Sequence, residues 1–188
     1  MVGIPALWLP IVVAAVVVFI ASSVIHTMLQ YHNSDFRKLP AEDDILDAVR
    51  SAGVAPGDYM APHHGGDSSA FKDEAFREKV RRGPVVVMTV FPEGDPFDMK
   101  AQLTQWFVYL LVVTLFAAYI TGRALGPGAE YLHVFRFAGA TAFIGYALGH
   151  WQRSIWYKQA WSTSLKNTFD GLVYGLLTGG VFGWLWPS

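Results

Sequence analysis

The groups that could do chemistry here are few: six histidines, isolated charges inside apolar segments, and no cysteine. His26 and His150 each lie in an apolar stretch near what reads as the same end, so two imidazoles there could ligate a haem or chlorophyll-type pigment. His26 is flanked by Ser22, Ser23 and Thr27, which favours an ordinary hydrogen-bonded histidine instead. His63 and His64 precede Asp67 in the string HHGGD, with His32 as a further donor for a metal. Adjacent ligands are not the spaced pattern of a well-defined zinc site, and a solvated loop is the simpler expectation. Lys166 and Asp170 stand at i, i+4 spacing and read as a structural pair rather than a proton relay. Arg136 is the costliest charge to place, because an arginine in a membrane span faces protein, water or a paired acid unless it snorkels to the interface. No cofactor is expected.

Absences narrow the chemistry further. Without cysteine there is no thiolate zinc site, iron–sulfur cluster or thiol nucleophile. No P-loop, dinucleotide-binding glycine fingerprint, nucleophile elbow or HExxH is present, so the chain is not expected to be an enzyme. The apolar segments lack the facing acids of ion pumps and the broken half-helices of carriers.

The elements that must position these residues follow from composition. Of 188 residues, 53 % are hydrophobic, 15 % aromatic and only 15 % charged, against about 25 % charged in average globular chains. Mean hydropathy is +0.31. That excludes a disordered tail and a basic nucleic-acid-binding module, and points to an integral membrane protein.

Charge is concentrated in one segment. Residues 32–102 hold 13 of the 15 acidic and 9 of the 14 basic residues. Four apolar stretches occupy the remainder: one at 11–29 within a first segment 1–31, then about 103–122, 131–149 and 169–186. Each approaches the ~20 residues that cross ~30 Å of hydrocarbon as a helix. The first lacks a basic n-region and is long for a signal h-region, so a retained helix is expected. The expected fold is therefore mostly α, a four-transmembrane-helix bundle with a small α+β cytoplasmic insert (32–102) between helices 1 and 2. An aromatic segment at 150–168 would lie in the headgroup layer.

Lys and Arg near the span ends set the orientation. Arg37, Lys38, Lys100, Arg153, Lys158 and Lys166 fall on the side of the large loop, with Arg123 opposite. The positive-inside rule puts that loop in the cytoplasm and both termini in the periplasm of a bacterial inner membrane. Trp8, Trp184 and Trp186 mark the outer boundary, and Trp106, Trp151, Trp156 and Trp161 the inner one.

In the insert, acids at 42–44 open a helix whose stripe is Ile45, Leu46, Val49 and Ala52. A second helix is expected over 69–82 and a strand over 85–91, paired with the segment around Tyr59–Met60, the segment after Gly94, or another polypeptide.

Span 4 carries an i, i+4 ridge of Gly171, Gly175, Gly179 and Gly183. Such ridges let membrane helices approach to backbone contact. Ala138, Ala142, Gly145 and Gly149 on span 3 are the expected mating face, with docking of a partner helix as the alternative.

The strings PGDYMAPH (56–63), GPVVVMTVFP (83–92), FRFAGATAFIGYAL (135–148) and SIWYKQAWSTSLKNTFDGLVYGLLTGGVFGWLWP (154–187) together resemble a family of small, uncharacterised bacterial inner-membrane proteins. The resemblance implies four helices and no particular activity.

The leading expectation is a non-catalytic accessory subunit of a larger membrane complex, with a respiratory or photosynthetic energy-converting assembly as candidate host. It would act in packing, assembly or lipid positioning. Its partners would be other membrane subunits and lipids, with Arg136, Trp151, Trp156 and Trp161 as contact residues, and neither nucleic acid nor a small-molecule substrate. The alternatives are a small haem- or metal-binding redox protein using His26/His150 or His63/His64, and a homo-oligomeric channel or carrier.

Overall fold

The computed structural model describes residues 1–95 and 98–188. It is mostly helical, and it divides into two compact units, Met1–Arg37 with Phe97–Ser188, and Lys38–Pro96. In chain order the α-helices are α1 (Trp8–Met28), α2 (Glu42–Ser51), α3 (Glu74–Arg82), α4 (Lys100–Ala124), α5 (Tyr131–Ala147), α6 (Trp151–Tyr157) and α7 (Trp161–Trp184). The strands are β1 (Gly57–Ala61) and β2 (Val86–Val90).

In the first unit α1 touches α4 and α7, α4 touches α5, and α5 lies along α7 over most of its length. The four alternate in direction. At one end Val2 N–H donates to the Gly122 carbonyl (2.8 Å), Gly128 N–H to Pro187 (2.9 Å), and Trp186 Nε1 to Gly126 (3.0 Å). The N-terminal end is thereby tied to the last turn of α4 and the C-terminal end to the turn between α4 and α5. The core is built largely from small residues, among them Ala14, Ala15, Ala118, Ala138 and Ala142, with Leu7, Val18, Leu110 and Phe182 between them. Outward positions are apolar as well: Val12, Val16 and Ile20 on α1, Val112 and Phe116 on α4, Leu172 and Leu176 on α7. Helices that are apolar all round are built for burial in a core or in lipid.

Two of these helices, α1 with its preceding 3-10 turn (Ile4–Met28) and α4, are long and apolar enough to cross a membrane by length and composition. The other two expected spans fall short of that standard for physical reasons. Helix α5 is only 17 residues long before it tightens into the 3-10 turn Leu148–His150. In α7 the apolar residues are diluted by four ridge glycines and by Asn167, Thr168 and Asp170.

Element boundaries differ from expectation most at α7. It begins at Trp161, not near residue 169, because Ser162–Lys166 continue the helix although they are polar. The 150–168 segment is accordingly not one interfacial stretch but α6, a left-handed turn at Lys158 (φ 58°), and the first turns of α7.

The second unit is smaller than the expected 32–102 insert, because Tyr31–Asp35 fold with the helical unit. Glu42, Asp43 and Asp44 fill the first turn of α2, where the helix dipole favours them. The expected helix over 69–82 is split into a 3-10 turn (Ser68–Lys72) and α3, because Asp73 accepts from Ala75 N–H and caps a fresh start. Strands β1 and β2 pair antiparallel with Tyr59 opposite Met88, so the segment around Tyr59–Met60 is the partner of the 85–91 strand. No described residue of this unit is fully buried. The α2 stripe is formed but uncovered, with Ile45 and Leu46 about two-fifths exposed, and Phe71 and Phe91 are more exposed still.

Candidate functional site

The polar residues of the helical unit converge where α1 ends. Leu29 is extended, and the chain then turns through a 3-10 segment, Gln30–Ser34, that carries Tyr31, His32, Ser34 and Asp35 onto the first turns of α7. Lys166 Nζ uses all three of its donors there, on the Tyr31 carbonyl (2.6 Å), Ser34 Oγ (2.7 Å) and Asp35 Oδ1 (2.8 Å). Thr163 Oγ1 donates to the same Asp35 oxygen at 3.2 Å. His32 bridges two carboxylates, with Nδ1 2.6 Å from Asp35 Oδ2 and Nε2 2.8 Å from Asp170 Oδ2. The Tyr31 hydroxyl donates to the other Asp170 oxygen.

Asp170 is only 3 % exposed, and both of its carboxyl oxygens have a hydrogen-bond partner in this cluster. Burial pushes the Asp35 carboxyl up, but the hydrogen bonds and charges of Lys166 and His32 outweigh it and hold Asp35 below the usual carboxylate range. Burial, the bond to Asp170 and the nearby carboxylate charges push the Tyr31 hydroxyl far above the usual phenol range. It is therefore a fixed donor.

His26 completes the cluster from one turn back on α1. Its ring stacks on His32 with centroids 4.8 Å apart, and its Nδ1 lies 3.1 Å from the Ser22 carbonyl. One ligand atom each from His26, His32 and Asp170 can be chosen so that all lie within 4.8 Å of one another. The arrangement can hold a cation between two imidazoles and a carboxylate.

Several expected sites are rearranged. Lys166 and Asp170 do not pair: the 31–35 segment takes all three donors of Lys166 and places a donor on each oxygen of Asp170. His26 meets His32 rather than His150, whose ring makes no hydrogen bond among the described residues and whose carbonyl accepts from Ser164 Oγ (3.2 Å). His63 and His64 stack at 5.2 Å on an open groove also lined by Asp73, Lys79 and Arg82. Their Nδ1 atoms accept from Gly65 and Gly66 N–H, and Asp67 is occupied by Ser69 N–H and Oγ (2.8 and 2.5 Å), so the three do not converge on a metal.

The glycine ridge does seat on α5, though not on the expected face. A Cβ on Gly179 would lie 2.7 Å from the Phe135 carbonyl, one on Gly175 3.0 Å from Gly139 O, one on Gly171 2.7 Å from Ala147 Cβ, and one on Gly183 2.7 Å from the Tyr131 ring. Ala138 and Ala142 belong instead to the core shared with α1 and α4, Gly145 faces Val113, and Gly149 faces open space. Arg136 is exposed, with no hydrogen bond or ion pair among the described residues. Trp151 donates to Thr168 Oγ1 (2.9 Å) and packs edge-on against Trp161, while Trp156 is 76 % exposed.

Sequence reasoning missed Tyr31 and Asp35 and attached His32 to the wrong cluster. The available signal was the string YHNSD at 31–35, dense in donors and acceptors and directly following the most apolar helix.

No protein-family model matches the chain, and no curated protein or solved structure does.

Proposed function

We propose that the chain is a four-span, non-catalytic accessory subunit of a larger bacterial inner-membrane assembly, with both termini periplasmic and the Lys38–Pro96 unit cytoplasmic. The alternating directions of α1, α4, α5 and α7 and their apolar outward faces support four spans. The basic residues flanking the 31–35 end of the bundle support the orientation. A respiratory or photosynthetic energy-converting complex remains the candidate host.

The observation that carries the reading is the state of the second unit. It has amphipathic helices and a strand pair, yet no fully buried residue among those described, and leaves Ile45, Leu46, Phe71, Val85, Val87 and Phe91 uncovered. Large apolar side chains left exposed in this number are what a partner surface would cover. The glycine ridge is taken up by α5, so it offers no face to a second copy, which weighs against a homo-oligomeric channel. His26 stacks on His32 rather than meeting His150, which weighs against a bis-histidine haem.

Extraction from native membranes in mild detergent, with mass spectrometry and an absorbance scan of the same peak, tests this. Co-migration with larger membrane subunits is expected. A chain that always migrates alone, or one carrying its own Soret band, overturns the reading.

A further inference from the structure

We propose that His26, His32 and Asp170 bind one divalent first-row transition-metal ion at the end of α1, with Asp35 and the Ser22 carbonyl orienting the two imidazoles. Metal binding by these residues is independent of whether the chain has a partner subunit.

Tautomers come first. A carbonyl oxygen only accepts, so the contact between His26 Nδ1 and Ser22 O (3.1 Å) places the proton of a neutral His26 ring on Nδ1 and its lone pair on Nε2. His32 Nδ1 faces the Asp35 carboxylate at 2.6 Å, and a neutral ring donating there likewise keeps its lone pair on Nε2. Metal-ligating histidines are held in this way, one nitrogen on the metal and the other donating to a carbonyl or carboxylate. The two histidines in this cluster both have that second partner in place.

Distance and charge agree. Ions of this class bind imidazole nitrogen at about 2.0–2.1 Å and carboxylate oxygen at about 2.0–2.2 Å, which separates neighbouring tetrahedral ligands by roughly 3.3–3.5 Å. The pair His32 Nε2 and Asp170 Oδ2 stands at 2.8 Å and has only to open slightly, and with one ligand atom from each of the three residues already within 4.8 Å of the others, side-chain rotation of roughly an ångström closes the set. The ion takes the place of the proton shared by His32 Nε2 and Asp170 Oδ2, and that proton leaves to solvent. Once that proton has left, two carboxylates, Asp35 and Asp170, and one ammonium, Lys166, surround the imidazoles, so the ion replaces the charge that the proton carried. Tyr31 occupies Oδ1 of Asp170 and leaves Oδ2 as the ligand oxygen. His26 lies on the exposed side of α1 and Asp170 is buried on α7, so an ion can enter past His26 and keep an open coordination position for water.

The test uses the full-length chain, free of any affinity tag, in detergent micelles after treatment with a chelator. Zn2+ is titrated by calorimetry and Co2+ by visible absorbance. The expected result is one ion per chain, with Co2+ d–d bands. His26→Ala and Asp170→Asn should each weaken binding at least 100-fold, and Asp35→Asn about 10–100-fold. The double variant H63A/H64A should bind as the parent does. His26→Ala is the decisive variant, because the only hydrogen bond it removes among the described residues lies within its own helix. Its metal-free unfolding midpoint should match the parent's, which separates loss of a ligand from loss of fold. A stripped parent chain that takes up neither ion overturns the proposal and leaves the cluster as a proton-bridged ion network. So does Zn2+ affinity unchanged in His26→Ala, or lost in H63A/H64A.

Discussion

Lys166 Nζ reaches Asp35 Oδ1 at 2.8 Å across 131 positions of sequence, leaving Asp170, one turn along its own helix, to His32 and Tyr31. The side chains of Asp35 and Lys166 are 8 % and 23 % exposed, so the pair is largely withdrawn from water. Removing one member of such a pair strands the other charge, at a cost of about 3–5 kcal/mol. Asp35→Ala should therefore lower stability in detergent by about 3 kcal/mol. Lys166→Met should cost a comparable amount, and the double variant less than the sum. Denaturant unfolding of the four proteins in the cycle measures this, and strict additivity would show that the two residues act independently.

The ridge on α7 makes a positional prediction. A methyl group at Gly179 meets the Phe135 carbonyl at 2.7 Å, and one at Gly175 meets Gly139 O and Phe143 Cβ at 3.0 Å. Backbone cannot swing aside as a side-chain tip can. Gly179→Ala and Gly175→Ala should each destabilise by about 1–3 kcal/mol, the usual cost of overpacking. At Gly180 the nearest atom is Tyr131 Oη at 3.7 Å, and Gly149 has nothing within 4 Å. Alanine at those two positions should leave the melting temperature where it is. The contrast, not any single value, is the result to read.

Tyr174 is 4 % exposed, and its hydroxyl has no hydrogen-bond partner among the described residues, although its ring packs edge-on against Tyr146 at 5.7 Å. An unpaired buried hydroxyl costs about 1–3 kcal/mol. Tyr174→Phe keeps the ring contact and removes that cost, so it should raise stability by about 1 kcal/mol. A loss of stability of that size would mean the hydroxyl has a partner, such as an ordered water.

Much of the helical unit was legible because hydropathy and turn residues mark it directly. The starts and ends expected for α4 and α5 lie within a few residues of those observed, and Gly126–Gly128 makes the tight turn between them. Helix α7 was read short because hydropathy reports the apolar part of a helix, not its polar first turns. The ridge was recognised, but its mate was sought among small residues. Phe135 instead brings its carbonyl and a ring carbon to Gly179, and Phe143 its Cα and Cβ to Gly175, so a large residue can lie at a close helix crossing. The site itself was hidden by locality. Spacing rules pair Lys166 with Asp170, whereas the partners of both lie in the 31–35 turn, brought there by the packing of α1 on α7. In the second unit the periodicity of α2 was read correctly, but an apolar stripe says only that something should cover it.

The proposed four-span arrangement is the premise of the proposed accessory role and of the cytoplasmic placement proposed for the 31–35 end of the bundle. A chain without cysteine allows it to be tested with single introduced thiols. Glu130→Cys, Ser188→Cys, Ser69→Cys and Ser162→Cys each place one thiol at an exposed position. Intact bacterial cells are treated with a membrane-impermeant maleimide before and after lysis. Residues 130 and 188 should label in intact cells, and residues 69 and 162 only after lysis. Labelling of residue 162 together with 130 in intact cells, or protection of 188, would contradict the alternation of four spans.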